Sequence, residues 1–217
     1  MLKKFFCSIV VLSMLCSLAF VPTSAVGVNE VPDNTQEQIE ETLSVVFDYL
    51  NNQSPLSLGH LENRIYNIPV GEETVVVSVR NEQVQTGRGA NYEEYPIQKN
   101  TSYTYTLTIN KIHSGSGSIV CKVYYNVGEI FTGFTDVYRL LVIDATATVT
   151  PPNFYSIRSS GTAIDHNWDN TPVGEVATVA NFSSSILSDF SYMVEIDLAS
   201  LEGSIIRVTY KYGSFNN

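Results

Sequence analysis

The residues best suited to chemistry lie in a short polar run near residue 165. Asp165, Asn167 and Asp169 place side-chain oxygens at alternate positions, the spacing with which the first half of a calcium loop surrounds one hard cation. The twelfth position of such a loop should be a bidentate Glu, whereas Val176 stands there and Glu175 comes one place early. Two interpretations follow: a polar turn closed by Asp and Asn side chains, which we favour, and a calcium site at Asp165, Asn167 and Asp169.

Histidines near serines or carboxylates offer a second chemistry, that of a hydrolase. His166 lies within the same polar run, and His113 precedes the Gly/Ser run 114–118. Nucleophilic catalysis needs a serine or cysteine held against a histidine that a carboxylate orients. No Gly-x-Ser-x-Gly elbow occurs, and the three histidines lack zinc-site spacing. We therefore predict no catalytic or cofactor-binding residue, with an exported hydrolase using a loop histidine and carboxylates as the alternative.

Cys121 and the strand carboxylates are predicted to be structural. Cys121 alternates in step with Ile119 and Val123, so we expect a small apolar core residue rather than a nucleophile. Glu195 and Asp197 fall on one predicted solvent face. We interpret them as solvated charges.

Tyrosine is frequent, with thirteen in the chain. On exposed strands and loops tyrosines can form a binding surface, and they are also good strand formers. The candidates for such a surface are Tyr92, Tyr95, Tyr124 and Tyr155. Tyr103 and Tyr105 share a face with apolar residues, so we assign them to the core.

The beginning of the chain predicts export. Lys3 and Lys4 precede an apolar run that ends at Thr23-Ser24-Ala25, as in a secretory signal peptide covering residues 1–25. The remaining 192 residues hold ten basic and twenty-two acidic side chains, a net charge of −12 against −10 for all 217 residues. Cys121 is then the single cysteine, so no intramolecular disulfide is expected. The acidic balance argues against a nucleic-acid partner and against a membrane partner for the mature form.

One helix precedes the predicted sheets. Residues 26–34 contain Gly and Pro without a period and predict a flexible arm. From Thr35 to Asn51 apolar residues recur at helical spacing, with Glu on the other side. We therefore predict an amphipathic helix over 35–51.

Residues 63–213 predict a β domain. Side chains alternate between apolar and polar with period two around residues 75–79, 103–109, 119–127, 192–198 and 206–212. The loops 113–118 and 198–203 predict two antiparallel hairpins. We expect an all-β fold, an antiparallel β-sandwich with an immunoglobulin-like arrangement as one option and a barrel as the runner-up.

The Lys3-Lys4 leader, the acidic helix and the segment Ile68–Thr74 together resemble small secreted β-sandwich proteins of Gram-positive, clostridial-type bacteria. Those families have no known function, so the resemblance implies an extracellular, non-catalytic protein and no site residue. We expect a secreted binding protein whose partner is an extracellular protein or a glycan. The alternatives are the hydrolase above and a calcium-dependent adhesion or structural module.

Overall fold

A computed structural model describes residues 35–87, 91–92, 95–113, 116–131, 138–165, 174–199, 205–213 and 215. The predicted signal peptide 1–25 and flexible arm 26–34 lie outside these residues. Asn167, Asp169 and His166 also lie outside them. The structure therefore describes only some of the residues on which the calcium and hydrolase predictions depend.

One helix and eleven strands make up the described chain. The helix α1 spans Thr35–Asn51, the range predicted from its apolar spacing. Strand structure begins at Leu56, before residue 63, because a two-residue strand joins the sheet there. The strands are β1 Leu56–Ser57, β2 Leu61–Val70, β3 Glu73–Gly87, β4 Asn91–Tyr92, β5 Tyr95–His113, β6 Ser116–Phe131, β7 Tyr138–Thr150, β8 Ser156–Asp165, β9 Glu175–Ser183, β10 Phe190–Leu198 and β11 Ile205–Tyr212.

The strands form two antiparallel sheets, which confirms the all-β sandwich. The larger sheet has the order β2-β3-β5-β6-β7, with β4 paired to β5. The smaller sheet has the order β1-β11-β10-β9-β8. Strand neighbours in both sheets mostly follow one another along the chain, as in a meander. This order differs from the Greek-key order of the immunoglobulin-like option.

Both predicted hairpins are present. β5 pairs with β6 in a register that sets Tyr103 opposite Tyr125, and β10 pairs with β11 with Leu198 opposite Ile206. Because side chains alternate across a strand, these registers place the apolar residues of each pair on one face. That face is buried in both hairpins.

The helix completes the core between the sheets. Its buried side chains include Ile39, Leu43 and Phe47, and they belong to one apolar cluster with residues of both sheets. At the end of α1 the Asn51 amide bonds the backbone N–H and C=O of Tyr210, each at 2.8 Å. The Asn51 amide thus satisfies the two backbone groups of Tyr210 that a neighbouring strand would otherwise bond. Among the described residues, every buried member of the cluster falls between residues 39 and 210, so the 26–217 chain contains the core that the structure describes.

Buried tyrosines connect the two sheets. The hydroxyls of Tyr105 on β5 and Tyr210 on β11 are 2.5 Å apart. The Tyr125 hydroxyl donates to Asn81 Oδ1 at 2.8 Å within the larger sheet. These bonds satisfy polar groups that would otherwise be costly to bury.

Candidate functional site

The outer face of the smaller sheet carries a group of carboxylates that we call the acidic patch: Asp165, Glu175, Glu195 and Asp197. Strand pairing places Glu175 of β9 directly opposite Asp165 of β8 on one side and Asp197 of β10 on the other. Glu195 lies two residues before Asp197, on the same face of β10. Three adjacent strands thus hold four like charges at cross-strand contact distances.

Carboxylate oxygens of Glu175, Glu195 and Asp197 all lie within 4.8 Å of one another. Burial, followed by the negative charge of Glu195 and a hydrogen bond with it, raises the pKa of Glu175 to about 7. Burial and Glu195 also raise the pKa of Asp197, against the opposing effect of Arg207. Lys211 Nζ bonds Glu195 Oε2 at 2.6 Å, which neutralises part of the patch. The remaining acidic charge favours a proton or a cation.

These carboxylates have the chemistry of a hard-cation site. Calcium binds carboxylate oxygens at roughly 2.3–2.6 Å, so oxygens around one ion can be up to about 5 Å apart. Asp165, predicted as a calcium ligand, is the member of the acidic patch on β8, directly opposite Glu175. Glu175, Glu195 and Asp197 were missed as a group because strand register, rather than sequence spacing, brings them together.

The outer face of the larger sheet has a different character. We call it the threonine face; its members are Thr104, Thr106 and Thr108 of β5, Lys122 and Tyr124 of β6, and Thr146, Thr148 and Thr150 of β7. Tyr124 is 44% exposed and lies directly opposite Thr104 and Thr146. Beside it, Ser102 Oγ donates to Asn126 Oδ1 at 2.7 Å. A single aromatic ring is therefore framed by hydroxyl and amide groups.

Of the other candidate surface tyrosines, only the side chain of Tyr155 is described, and it does not join Tyr124. Tyr155 is buried, where its hydroxyl donates to Gln36 Oε1 at 2.6 Å and its ring packs edge-on against Phe190. Of the two roles considered for it, the structure gives it the architectural one. The side chains of Tyr92 and Tyr95 lie outside the described part of the molecule. Among tyrosines whose side chains are described, Tyr49 on α1 is the other exposed one, at 40%. Tyr103 and Tyr105 are buried, as predicted.

Among the described side chains, Cys121 and His60 do not form a nucleophile–base pair, because one is buried and the other exposed. Cys121 is buried in the core, as predicted, and burial raises the pKa of its thiol to about 11. A thiol protonated at neutral pH is a poor nucleophile. His60 is exposed. The His113 side chain is not among those described, so the hydrolase alternative stays a prediction.

Two small cavities flank the helix. One, of about 150 Å³, is lined by Arg64 and Arg207 among others. The Arg64 guanidinium already donates to the carbonyls of Ser54 and Pro55, at 2.6 and 2.8 Å, so it holds the loop after α1. The other, of about 280 Å³, lies between α1 and the β2–β3 turn. Neither lining includes a described histidine or cysteine.

No protein-family model, curated protein or solved structure matches this chain. Within the described ranges, no helix has both the length and the apolar character needed to cross a bilayer.

Proposed function

We propose that this protein is a secreted, non-catalytic module that binds an extracellular glycan through the threonine face. The observation that carries the proposal is Tyr124, an exposed ring opposite Thr104 and Thr146 on a regular sheet. An exposed aromatic ring can stack on the C–H face of a sugar, and hydroxyl and amide groups beside it can bond the sugar hydroxyls.

The threonine face suits a glycan better than a protein partner. The centres of protein interfaces are rich in aromatic residues and Met and are closely packed. The side chains around Tyr124 are instead hydroxyls, with Lys122 on the same strand. β5 and β7 lie on either side of β6, so the threonines form two rows roughly 10 Å apart with Tyr124 between them. One extended sugar chain can meet both rows.

The proposal is tested with the 26–217 chain on a panel of insoluble polysaccharides and cell-wall fractions. Wild type should be retained by at least one member, and Tyr124→Ala should weaken that retention about tenfold, the equivalent of ~1.4 kcal/mol. Tyr49→Ala is the matched control, because Tyr49 is similarly exposed but lies on the helix. Equal retention of the two variants, or no retention of wild type on any member, would reject the proposal.

A second candidate is the calcium-dependent module, which the acidic patch favours because Asp165 lies opposite Glu175. Bound calcium would offset the repulsion among the carboxylates and stabilise the folded chain. Calcium should then raise the melting temperature of wild type and not that of a Glu175→Gln/Glu195→Gln variant. An unchanged wild-type midpoint in calcium and in chelator removes this candidate.

A further inference from the structure

β2 forms one edge of the larger sheet. It pairs with β3 along its ten residues, and no described strand pairs with its other side. The helix and the following loop contact β2 through Tyr66, whose ring meets Tyr49, and through Arg64. A long edge strand offers a row of backbone donors and acceptors to another strand.

The hydrogen-bond pattern shows which backbone groups point outward. The Gln83 N–H donates to the His60 carbonyl at 3.1 Å, so His60 and Gln83 form a hydrogen-bonded pair of the antiparallel ladder. Such pairs alternate along the ladder. The even-numbered residues of β2 therefore bond β3. The odd-numbered residues Leu61, Asn63, Ile65 and Asn67 direct their N–H and C=O groups away from it.

The side chains of these odd-numbered residues lie on the exposed face of β2 and carry no charge. Leu61 is 52% exposed and Ile65 is 64% exposed, and Asn63 lies between them. Natural edge strands are commonly protected by lysine, a central proline, a bulge or inward-pointing charges. Between Leu61 and Asn67 the inward charges are Glu62 and Arg64, which neutralise each other in an ion pair; lysine, proline and bulge do not occur there, and Pro69 comes near the end of the strand. This neutral stripe is where two copies of a chain of net charge −10 can approach with least repulsion.

We propose that β2 pairs antiparallel with β2 of a second copy about a two-fold axis at Asn63. In this register Asn63 meets its own copy, and Leu61 meets Ile65 of the other chain. Both pairs join outward-pointing backbone groups. On the opposite face Glu62 meets Arg64 of the other chain, which extends the ion pair of 2.9 Å that these residues make within one chain. The strand is thus complementary to itself in backbone, apolar contact and charge.

Analytical ultracentrifugation of the 26–217 chain tests the pairing. Wild type should sediment with twice the monomer mass at high micromolar concentration. Ile65→Lys should raise the dimer dissociation constant by at least about tenfold, because it places a charge against Leu61 of the other chain. Ile186→Lys is the control, since Ile186 is also half exposed but lies outside β2. A monomeric wild type, or equal dissociation constants for the two variants, overturns the proposal.

Cysteine cross-linking tests the register without relying on a destabilising change. Asn63→Cys places two thiols on the two-fold, where opposed Cα atoms about 5.5 Å apart permit a disulfide. In Asn67→Cys the two introduced thiols would lie roughly 25 Å apart along the strands. Under mild oxidation the first variant should form a covalent dimer and the second should not, while buried Cys121 takes no part. Cross-linking of Asn67→Cys but not Asn63→Cys contradicts the proposed register.

Discussion

Glu175 shows how a single residue reports the electrostatics of the acidic patch. It lies between Asp165 and Asp197 on neighbouring strands, and its pKa is raised to about 7 by burial and by Glu195. A raised carboxyl pKa means that the folded state binds the proton more tightly than the unfolded state does. Protonation of Glu175 therefore stabilises the folded state fully when the pH is below the pKa of the unfolded state, 4.5. This stabilisation is lost as the pH rises through the folded-state pKa of about 7.

Replacing Glu175 by Gln should remove this pH dependence. We expect Glu175→Gln to melt at a higher temperature than wild type at pH 8 and to lose most of that advantage at pH 5. Thermal melts at both pH values, in chelator to exclude bound cations, measure the difference. Glu82→Gln serves as the control, because Glu82 lies on the other sheet in an ion pair with Arg80. A constant offset between wild type and Glu175→Gln at the two pH values would contradict the account.

At the scale of elements, Gly174 marks a close approach between β7 and the start of β9. A Cβ built on Gly174 would lie 2.3 Å from the backbone nitrogen of Val142, and the Gly174 carbonyl accepts from Leu198 N at 3.0 Å. Gly174→Ala should therefore lower the free energy of unfolding by ~1–3 kcal/mol. Gly161→Ala, where nothing lies within 4 Å of the added atom, should stay within about 0.5 kcal/mol of wild type. Equal effects in urea unfolding would refute the close approach.

The Tyr105–Tyr210 hydroxyl pair should behave as a coupled link between the sheets. Tyr105→Phe leaves the buried Tyr210 hydroxyl without its partner, which should cost ~1–3 kcal/mol. The double variant Tyr105→Phe/Tyr210→Phe removes both polar groups, so its loss should be smaller than the sum of the two single losses. Chemical denaturation of all four proteins gives the coupling energy. Strict additivity would show that the hydroxyls do not interact.

The elements with strong periodicity were predictable from the sequence, and the sites between elements were not. Helical spacing identified α1, and two-residue alternation identified the β5–β6 and β10–β11 hairpins. β8 carries mostly exposed and half-buried residues, so it lacks the alternation that marks a strand. The acidic patch depends on the register of β8, β9 and β10, and local patterns do not encode which strands pair.

At the scale of the whole molecule, charge is distributed unevenly. The threonine face and the residues that border it carry two positive charges, Arg80 and Lys122, and two negative charges, Glu82 and Asp144. This face is therefore neutral in a chain of net charge −10. Glycan retention through this neutral face should therefore change less than about twofold as salt rises from low to high concentration. A steep loss with salt, measured on the same polysaccharide, would point instead to binding through charged groups.

The most direct test of the account is the ratio of two dissociation constants, those of Tyr124→Ala and Tyr49→Ala for the polysaccharide that retains wild type. Both variants remove an exposed tyrosine, and only Tyr124 lies on the threonine face. We predict a ratio of about ten or more. A ratio near one would contradict the threonine face as the binding surface.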